Sequence, residues 1–208
     1  MDFPFAADWP ARSSNPLTVP WPGQGNPAAI RELSSPSEWL SLISSCDLHP
    51  AVPSTVLAKF ARAQRLYALG WLEFDAIKAG ELAAIIALEL AMMDRYRRAV
   101  KGKSTREPTF DPLLKHMIRV DGLEVSALPS IRRYGGRSIP LVTIHGVDTA
   151  ELRQPTLVSI RNNLAHGDPF DGLPWGGLLE LVQDLIEYAY RDLIADATET
   201  HPAGTKGS

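Results

Sequence analysis

From Ser54 onward the apolar residues of this chain recur every three or four positions, and before Ser54 they do not. Val56, Phe60, Ala63, Tyr67 and Gly70 fall at helical spacing, with Lys59, Arg62 and Arg65 on the polar side and Ser54 as the candidate N-cap. Around Asp75 the pattern leaves open whether the helix pauses or continues. The run from Glu81 to Tyr96 is apolar on most sides, through Leu82, Ile85, Ile86, Leu88, Leu90, Met92 and Met93. A helix of that kind is usually the central one of a bundle. A shorter helix is predicted from about Pro112 to Arg119, stopped by Asp121-Gly122 and carrying His116 as a structural or exposed residue. The last stripe, Leu178, Leu181, Val182, Leu185, Ala189 and Leu193, predicts one helix from about Trp175 to Ala195 with Glu180, Asp184 and Glu187 outside. Residues 198–208 carry no pattern and are expected to fray.

The first 53 residues read differently. Pro4, Pro10, Pro16, Pro20, Pro22 and Pro27 forbid a long helix or a central strand. Phe3, Phe5, Trp9 and Trp21 are too apolar for a solvated tail, so an extended arm is expected to lie on the body with its aromatics in surface grooves. Stacking of those rings on nucleobases is the less favoured use. Ser35-Pro36-Ser37-Glu38 is a capping box with Pro at the first helical position, and it opens one short helix through Trp39, Leu40, Leu42 and Ile43. Residues 123–150 also break the helical rhythm. Ser138 to Ile144 is β-prone, Tyr134-Gly135-Gly136-Arg137 is a turn signal, and Ile131 to Tyr134 is a candidate opposing strand, so a small β-hairpin insertion is expected there. Arg132, Arg133 and Arg137 near its tip are candidate RNA contacts, and equally an ordinary loop.

Composition narrows the classes without choosing among them. The 208 residues are 45% hydrophobic and 22% charged, as in an ordinary soluble protein. A net charge of −3 gives no global drive towards nucleic acid, so an RNA site has to be a local patch. The single cysteine, Cys46, rules out an internal disulfide framework, fits a reducing cytoplasm and reads as a small buried apolar residue. No signal peptide is evident at the N-terminus, and no apolar run approaches a membrane span. Neither a zinc spacing, a paired-carboxylate metal site, a P-loop nor a Rossmann fingerprint is legible, so no metal or cofactor is expected.

What remains is the stretch from Leu157 to Gly167. Leu157, Ile160 and Leu164 line one side of a helix opened by Pro155 or Thr156, Asn162 and His166 share the opposite side, and Arg161 projects between them. Gly167 supplies the position where such a helix stops. Arg161 and His166 are about 140° apart on an ideal helix, so they converge only if the helix ends at His166 or a second copy stands across a dimer axis. Arg161-Asn162-Asn163-Leu164-Ala165-His166, on a late helix of an all-helical chain, resembles the signature of the HEPN superfamily. In that signature an Arg, directly followed by a polar residue that is often Asn, precedes a His by a short spacer. The resemblance implies an all-α, HEPN-like bundle of four to six helices over residues 54–197, with Arg161, Asn162 and His166 as catalytic residues of a homodimer. It also implies a metal-independent endoribonuclease with a toxin or defence role, and a cognate antitoxin or operon protein as partner. Many members of the family have no known activity, so the alternative is a catalytically silent module that dimerises or docks a partner or nucleotide.

The residue chemistry agrees with either use. Imidazole ordinarily titrates near neutrality, so His166 can take a proton from a ribose 2′-hydroxyl or give one to the leaving 5′-oxygen. The always-charged, planar guanidinium of Arg161 can hold the non-bridging oxygens as charge builds on phosphorus, and Asn162 can orient the imidazole or donate to the phosphate. The plainer use has Arg161 paired with an acid and His166 satisfying the helix end. Glu89 bears on this. Inside an apolar run its carboxylate needs a partner, either a structural one (Arg62, Arg65 or Arg161) or Arg161 in the sense of orienting it for catalysis, unless Glu89 stands at the edge of the stripe. Arg95, Arg97, Arg98, Lys101, Lys103 and Arg106 form a basic helix end, which the macrodipole alone explains and which a phosphate path is the second way to use.

Overall fold

A computed structural model describes residues 2–100, 107–134, 156–167 and 172–200. Among them the chain is mostly helical, with eight α-helices and one two-stranded antiparallel sheet. Strands β1 (Leu17–Pro20) and β2 (Ile30–Leu33) come first, followed by α1 (Pro36–Ser44), α2 (Ser54–Leu69), α3 (Ala76–Val100), α4 (Phe110–Arg119), α5 (Pro129–Tyr134), α6 (Leu157–Ala165), α7 (Leu178–Ala189) and α8 (Arg191–Thr200). Among the described residues, no helix is long and apolar enough to cross a membrane.

The centre is the antiparallel pair α2 and α3, with α7, α4 and α6 packed on α3. The chain turns between the pair at residues 70–75, so the pattern does pause at Asp75. Two glycines let the helices close. A Cβ on Gly80 would stand 2.6 Å from the Tyr67 ring, and one on Gly70 would stand 2.3 Å from Ile77. Ala84, Ile85, Leu88 and Ala91 of α3 are fully enclosed, as the all-round apolar run predicts.

A hairpin stands in the N-terminal stretch, where the sequence does not suggest one. Ile131 to Tyr134, read above as a strand, is the body of helix α5. Pro129 begins that helix, and Leu128, Ile131 and Tyr134 are buried three residues apart, a helical period that outweighs the β-prone composition. Residues 135–150, with Arg137, lie outside the described residues. Among the described residues a sheet forms in the proline-rich N-terminal stretch, where Leu17, Val19 and Leu33 face the core. The arm is more than a surface strap. Trp21 is buried edge-to-face against Trp39 (5.5 Å between centroids) and Tyr67 (6.5 Å), and the Trp71 indole donates to the Pro10 carbonyl at 2.9 Å. Phe5, by contrast, stays largely exposed.

Local signals set several boundaries. Ser35 and Glu38 close the capping box on α1 as expected, whereas Pro53, not Ser54, occupies the N-cap of α2. The expected single C-terminal helix is two. The backbone leaves the helical conformation at Tyr190 (φ −110°, ψ 14°), which is buried with its hydroxyl donating to Asp94 at 2.9 Å and its ring under the Arg98 guanidinium. Helix α4 starts at Phe110, ahead of Pro112, and His116 on it packs edge-to-face on Tyr96 with Asp121 3.8 Å away.

Candidate functional site

Helix α6 carries the Arg-Asn-His stretch, and its local sequence fixes both ends. Thr156 accepts the Ser159 N–H at 3.1 Å while the Ser159 hydroxyl accepts from the Thr156 N–H at 2.9 Å, a reciprocal cap that starts the helix. At the other end Gly167 adopts φ +80°, the left-handed conformation that stops a helix without a Cβ penalty. Leu157, Ile160 and Leu164 are buried and pin the helix against the body, including α3.

Val158 also packs on the core, and the polar side chains from Arg161 onward face outward or sideways. Arg161 is half-buried and reaches α3, where its Nη2 lies 3.2 Å and 3.5 Å from the two Glu89 carboxylate oxygens. Its Nη1 donates to Asn162 Oδ1 at 3.4 Å, a long bond between exposed neighbours. Glu89 is also half-buried, and of the three arginines considered for it, Arg161 is the one it holds. His166 is the C-cap residue itself, exposed, with its backbone N–H donating to the Asn162 carbonyl at 2.9 Å. The helix ends at His166, and among the described residues the imidazole bonds neither member of the Glu89–Arg161 pair. Along α3, Leu82, Ile86, Leu90 and Met93 form one half-exposed apolar stripe beside Glu89, with Ile86 45% exposed.

The basic residues proposed to meet RNA are distributed otherwise. Arg132 and Arg133 lie on the exposed side of α5, which packs on α7 rather than on α6, and Arg133 lies over the Tyr134 ring. At the end of α3 the described arginines are all paired: Arg95 with Asp121 and Asp192, Arg97 with Glu107, and Arg98 with Asp94. A solvated, charge-balanced helix end describes these three better than a phosphate path, and Lys101, Lys103 and Arg106 lie outside the described residues. Cys46 is enclosed, and burial pushes its thiol well above the usual range, which suits the apolar role. No group of three or more His, Cys, Asp or Glu side chains stands in a metal-holding arrangement among the described residues.

Three acids not singled out by the sequence are enclosed and a fourth is half-buried. Glu180, Asp184 and Glu187, expected on the outside of the last helix, turn inward or half inward. Tyr134 donates to Glu180, the Ser130 N–H and hydroxyl both bond Asp184 (2.7 and 2.5 Å), and the His49 N–H bonds Glu187 at 2.9 Å. Their partners lie far away in sequence, so no spacing within α7 announces them. On α3, Glu81 is fully enclosed, accepts the Trp175 N–H and stands 3.3 Å from Lys78, whose ammonium also lies over the Trp175 ring. Glu81 thereby ties the approach to α7 onto α3.

Burial pushes both Glu81 and Glu180 up to about 7, against the opposing pull of Lys78 and the Trp175 N–H on the first and of Tyr134 and Arg133 on the second. A carboxyl that holds its proton more tightly folded than unfolded adds stability that is complete below the unfolded value and lost as pH rises through the folded one. The wild type is accordingly expected to lose on the order of 1–3 kcal/mol of stability between about pH 4.5 and 7. Glu180→Gln should flatten that slope, measured as urea midpoints at a series of pH values. A midpoint that rises across this window would show that these two groups do not govern it.

No protein-family model matches the chain, and no curated protein or solved structure is significantly similar to it.

Proposed function

We propose that this chain is a metal-independent RNA endonuclease of HEPN type, acting as a homodimer in a toxin or defence role. The observation that carries the reading is the Glu89–Arg161 pair beside Asn162, on a helix that stops at an exposed His166. Glu89 restrains one edge of the guanidinium and leaves its other N–H donors for a phosphate. Attack of a ribose 2′-oxygen forms a new bond to phosphorus and breaks the bond to the 5′-oxygen. One His166 takes the 2′-hydroxyl proton, His166 of the partner subunit gives a proton to the leaving oxygen, and Arg161 offsets the charge on the non-bridging oxygens. The products carry 2′,3′-cyclic phosphate and 5′-hydroxyl ends, and DNA, without a 2′-hydroxyl, is inert. The test is labelled single-stranded RNA incubated with and without EDTA, followed by end-group analysis. Cleavage stopped by EDTA, or products with 3′-hydroxyl ends, would overturn the mechanism.

The apolar stripe of α3 supplies a seam for the second copy, because Leu82, Ile86, Leu90 and Met93 run next to the Glu89–Arg161 pair. A dimer is expected by light scattering at tens of micromolar, and Ile86→Arg should return it to monomer with its helical signal intact. A wild-type monomer at that concentration would count heavily against a composite site.

A second reading rests on the charge balance. The described arginines farther along α3 are each matched by a carboxylate and Arg161 is matched by Glu89, so α3 leaves no unneutralised arginine beside the motif among the described residues. A catalytically silent module, dimerising through the same seam and docking a partner protein or nucleotide, fits that balance. Absence of cleavage across diverse RNAs, with dimerisation retained, selects it.

A further inference from the structure

The two edges of the N-terminal sheet are built differently. Trp21 donates to the Ala29 carbonyl at 3.0 Å just beyond the ladder, and the register pairs Val19 with Arg31 and Leu17 with Leu33. Antiparallel pairing alternates, so these are the bonded pairs, and the intervening Thr18/Glu32 and Pro20/Ile30 pairs turn their backbone groups outward. On β1 that outward row contains Pro20, which has no N–H, and Pro16 precedes the strand. Proline is a usual means of closing a sheet edge. On β2 the row is Ile30 and Glu32, whose N–H and C=O groups bond no described residue.

Beyond that open edge lies α1, and between them runs a groove of about 740 Å³, lined by Ile30, Arg31 and Glu32 of β2 and by Ser37, Glu38 and Leu42 of α1. The groove is acidic. Of the charged residues that line it, two are exposed carboxylates, Glu32 and Glu38, against one cation, Arg31, so negative charge is in excess. A second copy paired edge to edge would bring the same carboxylates together, so the charge favours a different occupant.

We propose that this groove receives an extended basic segment of a partner protein, added to β2 as a third strand. Ile30 and Glu32 supply the main-chain hydrogen bonds, and lysine or arginine side chains of the segment meet Glu32 and Glu38. The proposal is independent of the catalytic reading.

The probe is a fluorescein-labelled hexapeptide of alternating valine and lysine, titrated with the full chain and followed by anisotropy. Saturable binding that weakens with added salt is expected. Glu32→Lys, at an exposed position, should weaken it about tenfold and should bind a valine–glutamate hexapeptide more tightly than the wild type does. Ile30→Pro keeps every inward bond, as Pro20 does directly opposite, and should weaken the valine–lysine peptide about tenfold through loss of an outward donor. The proposal fails if wild type binds this peptide no better than its N-methylated form, or if both variants bind it as wild type does. It also fails if the edge is occupied by a second copy, seen as self-association that Ile30→Pro abolishes and the peptide does not compete with.

Discussion

Replacing His166 by alanine is expected to slow RNA cleavage by about 10²–10⁴-fold, and replacing Arg161 by alanine to do the same, with fold and dimer unchanged. The structural reason for the second half of that statement is that neither side chain supports the core. His166 is exposed at the C-cap, and α6 is held by Leu157, Ile160 and Leu164 instead. Arg161→Ala leaves Glu89 without its partner, but at 25% side-chain exposure that carboxylate can be hydrated, so the stability cost should stay within about 1 kcal/mol. Arg161→Lys should recover little, because an ammonium cannot keep the two-oxygen contact with Glu89 and also present a planar fork to phosphate. Glu89, which acts through Arg161, is a positioning residue. Glu89→Gln should lower kcat about tenfold with KM and the melting curve little changed. Rates are to be measured on one labelled RNA under single-turnover conditions, beside circular dichroism and light scattering of each variant. Full cleavage by His166→Ala, in a properly folded dimer, would remove the imidazole from the mechanism.

Trp21→Ala is expected to destabilise the whole bundle by about 3–5 kcal/mol. Trp21 precedes every helix of the bundle, yet its ring is 4% exposed and meets Trp39 of α1 and Tyr67 of α2 edge-to-face. Trp39 in turn donates its indole N–H to the Tyr67 carbonyl at 2.9 Å, so the three rings and one backbone bond tie hairpin, α1 and α2 into one contact. Truncation leaves a hole bordered by rings that cannot collapse into it. Against a total stability of about 5–15 kcal/mol the loss is large, and it should shift the urea midpoint of the helical signal. An unchanged helical transition would mean that the N-terminal stretch is a dispensable strap, as its prolines suggest at first reading.

The elements that were legible are those whose cause is local. The capping box at Ser35, the apolar run of α3 and the Thr156-to-Gly167 limits of α6 each depend on residues within one or two turns. The contact between Glu89 and Arg161 was legible in part, because a carboxylate in an apolar run demands a cation, although Arg65 and Arg62 met the demand equally well on paper. What stayed hidden depends on distant partners. Glu180 and Asp184 look like a solvent face until Tyr134 and Ser130 arrive from α5. Pro20 looks like a strand breaker until the register places it at a position that donates no bond to β2. The break at Tyr190 has neither glycine nor proline to announce it, since a buried hydroxyl bonded to Asp94 marks the place. In residues 131–134 a correct signal, burial every third residue, was present and was overridden by β-branched and aromatic composition.

The enclosed thiol of Cys46 makes this chain a single-label protein by nature. It is the sole cysteine, no solvent reaches it, and burial holds it in the unreactive protonated form. A nitroxide or fluorophore directed at a cysteine introduced at position 166 would therefore attach there alone, without first removing a background site from the core. In a two-fold assembly one such substitution places a matched pair of probes, and the distance between them reports directly whether the two helix ends meet across the axis.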